Sequence, residues 1–428
     1  MKRLLRSTGL MFLLSLWACL QVRADYVEID NLGYQTNRDG TAVLKYPVVK
    51  ITANSVIFPD FGHLVLPETI EYKERSYRLV KIDETVFKEC PTITGITFNE
   101  GLETIGDETF IDCPNLKEVH FSSTLKQIGV GVFEGTPWLN DQPTGMIYAG
   151  QVALLYKGRI PDGTDIELQP ETRYVATSAF YGQRGMASFT APEGLLGISS
   201  GAFCSCKGMT RIDLPSTLTD IGNDCFRDCL SLTALDLPDG IEQIGSYAFI
   251  NCTSLQEVHL PAQLKDIQFQ AFENCAALAA IELPAGLKDI GRRAFYKCEA
   301  LRHITVCAPE PPLCAHDNVF TTEQYDQAQL VVPAGSLAAY QQAKAWKNFK
   351  NITESAPTAI HSVGVDAQPF SLQGAQLRVE AAVAAQGFAV YSVDGKLLYT
   401  GHDCVVALPS AHCCIVRIGA QAYKVLVP

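Results

Sequence analysis

Cysteine has the widest chemical repertoire of the residue types in this sequence, because thiols bind metals, form disulfides and act as nucleophiles. Seven of the 15 cysteines recur at one place in a repeated pattern: Cys90, Cys113, Cys206, Cys229, Cys252, Cys275 and Cys298. Zinc sites use ligands paired at short spacing, such as Cys-x-x-Cys. Only Cys204-Ser-Cys206 and Cys413-Cys414 are that close, whereas members of the series are each a full repeat apart. We therefore predict no metal site and no cofactor.

Disulfides between neighbouring members of the series are disfavoured by geometry. Equivalent residues of stacked repeats lie about 4.8 Å apart, but their Cβ vectors run parallel and sit slightly too far apart for an S–S bond. The series is therefore predicted to be a column of buried, reduced thiols that pack as small apolar side chains. Cys307 and Cys314, which flank Pro-Glu-Pro-Pro, remain candidates for a disulfide that closes a loop.

Signatures of other catalytic sites are missing from the sequence. It contains no Gly-x-Ser-x-Gly, no glycine-rich phosphate loop and no His-Glu-x-x-His. Its eight histidines have no partners at motif spacing. We predict that the chain is not an enzyme and has no catalytic residues.

The elements that position the cysteines are units of 23 residues. A phenylalanine marks each unit, and the series is Phe87, Phe110, Phe133, Phe180, Phe203, Phe226, Phe249, Phe272 and Phe295. The step from Phe133 to Phe180 is 47 residues, or 23 plus 24, so one unit has lost its phenylalanine and gained a residue. A period of 20–29 residues with Leu-x-x-Leu-x-Leu marks a leucine-rich-repeat solenoid. One unit cannot bury its own apolar side, but stacked units share a continuous core.

Each unit is predicted to contribute one short strand and one return path. In Leu232-Thr-Ala-Leu235-Asp-Leu237 the leucines point inward, and Pro238 ends the strand because proline cannot donate to a ladder. Neighbouring strands should pair in parallel, and the phenylalanines should stack as an aromatic spine. The predicted fold class is therefore a mostly-β α/β solenoid of 23-residue rungs with a parallel sheet.

The ends of the repeat region differ from its middle. Residues 25–76 are predicted to form an N-terminal β cap, the solenoid to span residues 77–352, and a C-terminal cap to cover residues 320–352. An interrupted rung at 137–160 contains two short strands around Ala149-Gly150, which we expect to form a hairpin that projects from the stack.

In the C-terminal cap, Ser336 is expected to N-cap a short helix that carries Leu337, Tyr340 and Trp346. Phe349 and Ile352 are expected to close the core. Residues 353–369 are predicted to be a linker, and the short alternating runs of residues 370–428 predict a small β-sandwich.

The first 24 residues have the pattern of a secretory signal peptide. Lys2, Arg3 and Arg6 precede an apolar run, and Val22-Arg23-Ala24 fits a cleavage site. In a second interpretation, Leu16-Trp17-Ala18-Cys19 is a lipobox that places a lipid on Cys19. Cleavage after residue 24 removes four basic residues and no acids, so the net charge moves from −12 to −16. Such an acidic chain repels phosphate backbones, and we predict that it binds no nucleic acid.

The repeat resembles a known family. The pattern Leu-x-x-Ile/Leu-x-Leu-Pro-x-x-Leu-x-x-Ile-Gly-x-x-Ala-Phe-x-x-Cys is similar to the BspA-type leucine-rich repeat of bacterial surface proteins over about residues 77–352. The resemblance implies a secreted or surface-displayed binding protein, in some members an adhesin for host matrix proteins, with no catalytic residues.

The tail from Val390 to Val427 resembles the C-terminal sorting domain of the type IX (Por) secretion system. It departs from that pattern at Ser410-Ala-His-Cys-Cys414, where the family has a glycine and an aromatic residue. Both a cleaved sorting signal and a retained β domain therefore remain open.

Candidate binding residues lie between the buried positions of the predicted strands, where side chains vary from rung to rung. The first set is an acidic strip on the sheet face: Arg211, Asp213, Asp236, Glu257, His259, Glu282 and His303. A strip of this kind fits a basic protein segment. The alternative set is on the hairpin: Trp138, Tyr148 and Tyr156. Glycan binding needs exposed aromatic rings, and the hairpin supplies them.

The sequence thus predicts a secreted or outer-surface protein that binds a protein ligand, which the resemblance extends to host extracellular matrix. A capture module for glycans or envelope polymers, and a structural spacer, are the alternatives. No transmembrane segment is expected, because no apolar stretch is long enough to cross a bilayer. The chain is expected to be a monomer.

Overall fold

The structure, a computed structural model, describes residues 25–51, 56–355 and the strands of the tail. The predicted signal peptide and the lipid anchor at Cys19 lie outside the described residues, as does most of the predicted linker.

The N-terminal cap is built from short strands that lead into the stack. They are β1 (Asp25–Ile29), β2 (Leu32–Thr36), β3 (Thr41–Pro47), β4 (Lys50–Ile51), β5 (Val56–Ile57), β6 (Gly62–Val65), β7 (Thr69–Tyr72) and β8 (Arg75–Ile82). β1, β2 and β3 form an antiparallel meander, and β3 then pairs in parallel with β8. Tyr34, Leu44 and Leu79 are buried in the core that this cap shares with the first rungs.

The repeat region alternates short strands with tight turns. Its strands are β9 (Ile93–Thr97), β10 (Thr104–Ile105), β11 (Glu118–His120), β12 (Gln127–Ile128), β13 (Gly145–Ala149), β14 (Val152–Lys157), β15 (Thr164–Glu167), β16 (Tyr174–Val175), β17 (Met186–Thr190), β18 (Gly197–Ile198), β19 (Arg211–Asp213), β20 (Asp220–Ile221), β21 (Ala234–Asp236), β22 (Gln243–Ile244), β23 (Glu257–His259), β24 (Asp266–Ile267), β25 (Ala280–Leu283), β26 (Asp289–Ile290), β27 (His303–Val306), β28 (Leu313–Cys314), β29 (Gln329–Val332) and β30 (Asn351–Glu354). Helices are short: α1 (Pro137–Asn140), α2 (Thr322–Gln327), α3 (Leu337–Gln342) and a 3₁₀ turn (Trp346–Asn348).

These strands form two parallel ladders along the stack. The face ladder contains β6, β9 and β11, then β15, β17, β19, β21, β23, β25, β27, β29 and β30. The return ladder contains β8, β10 and β12, then β14, β16, β18, β20, β22, β24, β26 and β28. In the face ladder Leu235 pairs with Val258, and in the return ladder Ile244 pairs with Ile267, each 23 residues on. The predicted parallel solenoid is confirmed.

The aromatic spine runs through the interior between the ladders. Phe203, Phe226, Phe249 and Phe272 have no exposed surface, and successive rings stack at centroid distances of 5.2–5.3 Å. Phe320 extends the spine beyond the predicted series, because its ring stacks on Phe295 at 5.6 Å. A 25-residue step through the proline-rich loop separates these two rings, so the 23-residue period does not find Phe320.

Left-handed backbone on both sides of each spine ring bends the chain around it. Asp224 has φ 53° and Asp228 has φ 58°, two residues before and two after Phe226. The same pair of positions has positive φ around Phe249, Phe272 and Phe295. Asn and Asp tolerate this region better than other side-chain-bearing residues.

The interrupted rung keeps its place in the stack. Sequence analysis predicts a hairpin that projects outward, but β14 pairs in parallel with β16 and so belongs to the return ladder. Val152 and Ala153 are fully buried in it. Tyr156 occupies the spine position, because its backbone N–H donates to Ala179 O just as that of Phe180 donates to Ala202 O. The missing phenylalanine is a tyrosine.

The C-terminal cap closes the core with Tyr340 and Trp346, both fully buried. Tyr340 Oη donates to Ala308 O, and Trp346 Nε1 donates to Pro312 O. Two details differ from prediction. The Ser336 hydroxyl donates to Pro309 O rather than capping α3, and Glu354 Oε1 accepts from Leu337 N instead. Trp346 lies in the 3₁₀ turn after α3, not in the helix.

The described strands of the tail form two sheets. They are β31 (Ile360–His361), β32 (Phe370–Gln373), β33 (Gln376–Val379), β34 (Phe388–Ser392), β35 (Leu397–Gly401), β36 (Val405–Ala407), β37 (Cys413–Ile418) and β38 (Gln421–Leu426). One sheet has the order β31-β38-β37-β34-β35 and the other β32-β33-β36. The tail is therefore β-rich, and the sandwich remains a prediction.

Candidate functional site

The outward side chains of the face ladder form two neighbouring columns, which together we call the sheet face. One column includes His63, Glu118, Asp165, Arg211, Glu257 and His303, and the other includes Thr97, His120, Glu167, Asp213, Asp236, His259 and Glu282. The side chains project outward because the strands alternate: in β21 and β23 only the central residue is buried. All seven residues of the predicted strip are exposed.

The charge of the sheet face is strongly unbalanced. Its two columns carry seven carboxylates: Glu118, Asp165, Glu167, Asp213, Asp236, Glu257 and Glu282. Arg211 is the single arginine or lysine in these columns between β6 and β27. Since exposed like charges stand on neighbouring rungs, the face concentrates negative potential along its length.

Contacts on the sheet face tie some of the predicted residues together. The His259 imidazole hydrogen-bonds Asp236 on the preceding rung. Arg211 Nη2 lies 3.3 Å from Asp213 Oδ2, which also accepts from Thr190 Oγ1 at 3.4 Å. Glu257 and His303 have small neighbours in register, Ala234 and Ala280. These alanines leave shallow gaps between the larger side chains.

A second cluster lies at the other end of the sheet face, and its three residues are not among the predicted binding residues. Glu118 accepts a hydrogen bond from His120 Nε2 at 2.7 Å and lies 3.3 Å from His63 Nδ1. The pKa of the Glu118 carboxyl is lowered, mainly by the hydrogen bond from His120. His63 reaches Glu118 because Gly95 stands between them, where a Cβ would collide with the imidazole. Leu66-Pro67 matches the Leu-Pro that ends other face strands, and this signal would have assigned His63 to the face.

The three aromatic residues of the alternative set pack mainly against the core, and Trp138 lies in α1 rather than on the hairpin as predicted, whereas Tyr148 and Tyr156 lie on the hairpin strands. Trp138 lies 4.7 Å from the ring of Phe133 and 5.6 Å from that of Phe121. Tyr156 is 6.4 Å from Phe180, and Tyr148 Oη accepts a hydrogen bond from Gln169 N. All three side chains are partly buried, so each offers only part of its surface to a ligand.

The cysteine column holds free thiols, as predicted. Their role goes beyond filling space, because from Cys113 onward each Sγ donates to the backbone carbonyl of the phenylalanine on the preceding rung, at 2.9–3.3 Å. Burial raises the pKa of Cys206, Cys252 and Cys298 to about 12. A thiol with so high a pKa is a poor nucleophile.

Cys307 and Cys314 are also free, so the candidate disulfide between them is not formed in the structure. Cys314 is buried, and the half-buried Cys307 places its Sγ 3.5 Å from Glu282 Oε1 at the edge of the sheet face. Burial, with the charge of Glu282, raises the pKa of Cys307 to about 12.

Metal-ligating side chains do not converge anywhere in the described part of the chain: it holds no group of three or more His, Cys, Asp or Glu arranged to bind an ion. None of the helices described has the length and hydrophobicity that crossing a membrane requires.

The two ladders and the 23-residue rungs define a leucine-rich-repeat solenoid, the class of proteins whose sheet faces typically bind other proteins. A family model for the BspA type leucine rich repeat region matches six copies over residues 68–142 and 173–302. These segments of the chain are therefore similar to BspA-type leucine-rich repeats.

Similar solved structures include a vaccine antigen, a cell surface protein and a leucine-rich repeat protein. Pneumococcal vaccine antigen PcpA is 15% identical, with 78% of this chain and 99% of that chain covered and a TM-score of 0.34. A leucine-rich cell surface protein from Faecalibacterium prausnitzii is 16% identical, with coverage of 81% and 99% and a TM-score of 0.29. A leucine-rich repeat protein from Bacteroides ovatus is 18% identical, with coverage of 77% and 100% and a TM-score of 0.27. A search of curated proteins gives no match.

Proposed function

We propose that this chain is a non-catalytic surface or secreted protein that binds a protein partner through its sheet face. The observation that carries the proposal is the concentration of seven carboxylates and one arginine in two exposed columns of a rigid ladder. Solenoids of this kind use their extended sheet as the binding surface. Burial raises the pKa of the column thiols and makes them poor nucleophiles, which supports the non-catalytic part of the proposal.

The partner that fits this surface is a basic segment of another protein. Lysine and arginine side chains would pair with Asp213, Asp236 and Glu282, which stand on the second column of the face. Arg211 would select against a uniformly basic partner at its own position, since like charges repel. Host extracellular matrix proteins are the partner class that the family resemblance suggests, and adhesion is the corresponding activity.

Surface location is part of the proposal. The N-terminal basic and apolar pattern supports export, either through cleavage after Ala24 or with a lipid on Cys19. The β-rich tail supports a role as a sorting domain or as a retained module. Mass spectrometry of the exported protein would distinguish these outcomes by its N-terminal residue, its lipid mass and the presence of residues 370–428.

Binding arrays test the function most directly. The purified chain is probed against host matrix proteins and against polysaccharides. The triple charge reversal Asp213→Lys, Asp236→Lys and Glu282→Lys should weaken binding of the protein ligand at least tenfold, and added salt should weaken binding of the unaltered chain. The control reverses Glu71, Glu84 and Glu299, which are exposed, lie off the sheet face and make no ion pair in the described part of the chain.

Equal loss in both triple variants would show that only net charge matters and would contradict a site on the face. Unchanged binding in both, together with loss on Trp138→Ala or Tyr148→Ala, would move the site to the hairpin. Failure to bind any protein would leave the structural spacer as the better description.

A further inference from the structure

A row of arginine and aromatic side chains lies on the turns of four successive rungs, away from the sheet face. The Arg227 guanidinium stands over the ring of Tyr247 at 6.0 Å, and Tyr247 meets Phe269 edge-to-face at 5.0 Å. The Arg292 guanidinium lies over Phe269 at 4.9 Å. Beside it, Arg293 lies over Tyr296 at 4.5 Å. The turn row, as we call it, consists of six residues: Arg227, Tyr247, Phe269, Arg292, Arg293 and Tyr296.

The turn row differs from the rest of this acidic chain in charge. Arg227 is neutralised by Asp224 and Asp228, and Arg293 by Glu273. Arg292 is exposed and forms no ion pair with any described residue. Lys297, also exposed, stands on the same rung. The row therefore keeps unpaired positive charge next to aromatic rings that are only partly buried.

We infer that the turn row is a binding site for a carboxylated sugar, such as the uronic acid units of an acidic polysaccharide. The guanidinium of Arg292, which lies over the ring of Phe269, has N–H groups in one plane that can pair with a planar carboxylate through two hydrogen bonds. The exposed parts of Tyr247, Phe269 and Tyr296 give the apolar face of a sugar ring a surface to pack on. The aromatic residues stand on three successive rungs, which are about 4.8 Å apart, so consecutive units of a polymer can pack on the row while Arg292 pairs with the carboxylate of one unit.

Other polyanions fit the row less well. Nucleic acid would bring many phosphates against a chain with a net charge of −12, and at this place the described residues offer them Arg292 in the row and Lys297 beside it. An acidic peptide offers carboxylates but no flat apolar ring face for the aromatic residues. The site is separate from the sheet face, so the chain would hold a protein on one side and an acidic glycan on the other.

The test uses the full chain and two polymers with the same sugar backbone, one with free carboxylates and one without: polygalacturonate and its methyl ester. We expect measurable binding of polygalacturonate by calorimetry and at least tenfold weaker binding of the ester. Arg292→Ala and Phe269→Ala should each weaken binding of polygalacturonate about tenfold or more. Arg292→Lys should also weaken it, because lysine keeps the charge but not the planar pair of donors.

The matched control is Tyr181→Ala with Arg184→Ala, which removes an exposed aromatic residue and an arginine from a rung outside the row. This pair should leave the affinity unchanged. The triple charge reversal on the sheet face should not reduce glycan binding, which separates this site from the proposed protein-binding function.

Three results would overturn the inference: no binding of polygalacturonate, equal binding of its ester, or unchanged binding in Arg292→Lys and Phe269→Ala variants whose thermal melts match the unaltered chain. Tighter binding of poly-glutamate than of polygalacturonate would also overturn the inference, because the site would then bind any negatively charged polymer and would not recognise the sugar ring.

Discussion

The rungs from Phe203 to Phe295 and the rung between Phe133 and Phe180 fill the same interior by different routes. In the regular rungs a phenylalanine follows a tight left-handed turn, and a thiol from the next rung donates to its carbonyl. In the interrupted rung Tyr156 stands at the end of a hairpin strand, and the Gln183 amide donates to the carbonyls of Tyr156 and Gly158. A ring in the spine and a side-chain donor for its carbonyl are common to both.

This comparison shows what the stack requires and what it tolerates. The path between the ladders is free to change, since the interrupted rung contains α1 and a hairpin. The C-terminal cap supports the same conclusion: Gln324, which is buried, donates to Phe295 O and Cys298 O where the next thiol would stand. Cysteine in the column is thus one of several side-chain donors to the carbonyls of the spine, with glutamine at Gln183 and Gln324 and threonine at Thr136 as others.

The largest expected difference between the two kinds of rung lies in their spine rings. Phe249→Ala should lower the free energy of unfolding by about 3–5 kcal/mol, because the ring is fully buried. Tyr156→Ala should cost less, about 1–3 kcal/mol, because its ring is partly exposed. Urea denaturation followed by circular dichroism measures both. Equal costs would show that the hairpin depends on its ring as much as a regular rung does.

Alkaline pH should destabilise the regular rungs, and the loss of stability should grow with the number of buried thiols. Folding raises the pKa of Cys252 to about 12, above its value in the unfolded chain, so stability is complete below pH ~8.5 and falls as the pH rises toward 12. Each such thiol should contribute about 1.4 kcal/mol of loss per pH unit in this window. The measurement is the unfolding free energy between pH 8 and 11, with Cys252→Ala as the control that should show a shallower slope.

Removal of one thiol should show whether its hydrogen bond matters. Cys252→Ala should cost about 1–2 kcal/mol, because Phe226 O then loses its side-chain donor and a small cavity opens. Cys252→Ser keeps a donor and should cost less. If Cys252→Ser lowered the free energy of unfolding as much as Cys252→Ala, the thiols of the column would contribute through packing alone and not through hydrogen bonds.

The smallest expected effect is an increase in the stability of the fold. Lys297 has φ 61° at the position two residues after a spine ring, where the interrupted rung and its neighbour have Gly158 and Gly182. Lys297→Gly should stabilise the fold by about 0.5–1 kcal/mol, because glycine adopts this conformation without a Cβ clash. Lys297→Ala removes the same charge but keeps the clash, and it should give no gain in melting temperature.

The 23-residue period predicts the ladders, the spine and the buried thiols, because each depends on residues that recur in phase. The predictions fail where the spacing between repeats changes or where a different residue type occupies the repeated position. Tyr156 and Phe320 belong to the spine, but one is not a phenylalanine and the other follows a loop of different length. Ser336 has the right type for a helix cap, yet its hydroxyl donates to Pro309 O, and Glu354, which is distant in sequence, accepts from Gly335 N and Leu337 N at the start of the helix. His63 was not assigned to the sheet face because it lies in the N-terminal cap.

The row of sulfur atoms sets a condition on how this chain matures. Every thiol of the column is shielded once the rungs have closed, but before that point several identical cysteines are free to meet an oxidant or one another. In an oxidising compartment, collapse of the stack must therefore outpace thiol oxidation. A rung that is slow to close would be trapped by a cross-link between cysteines that the finished fold keeps apart.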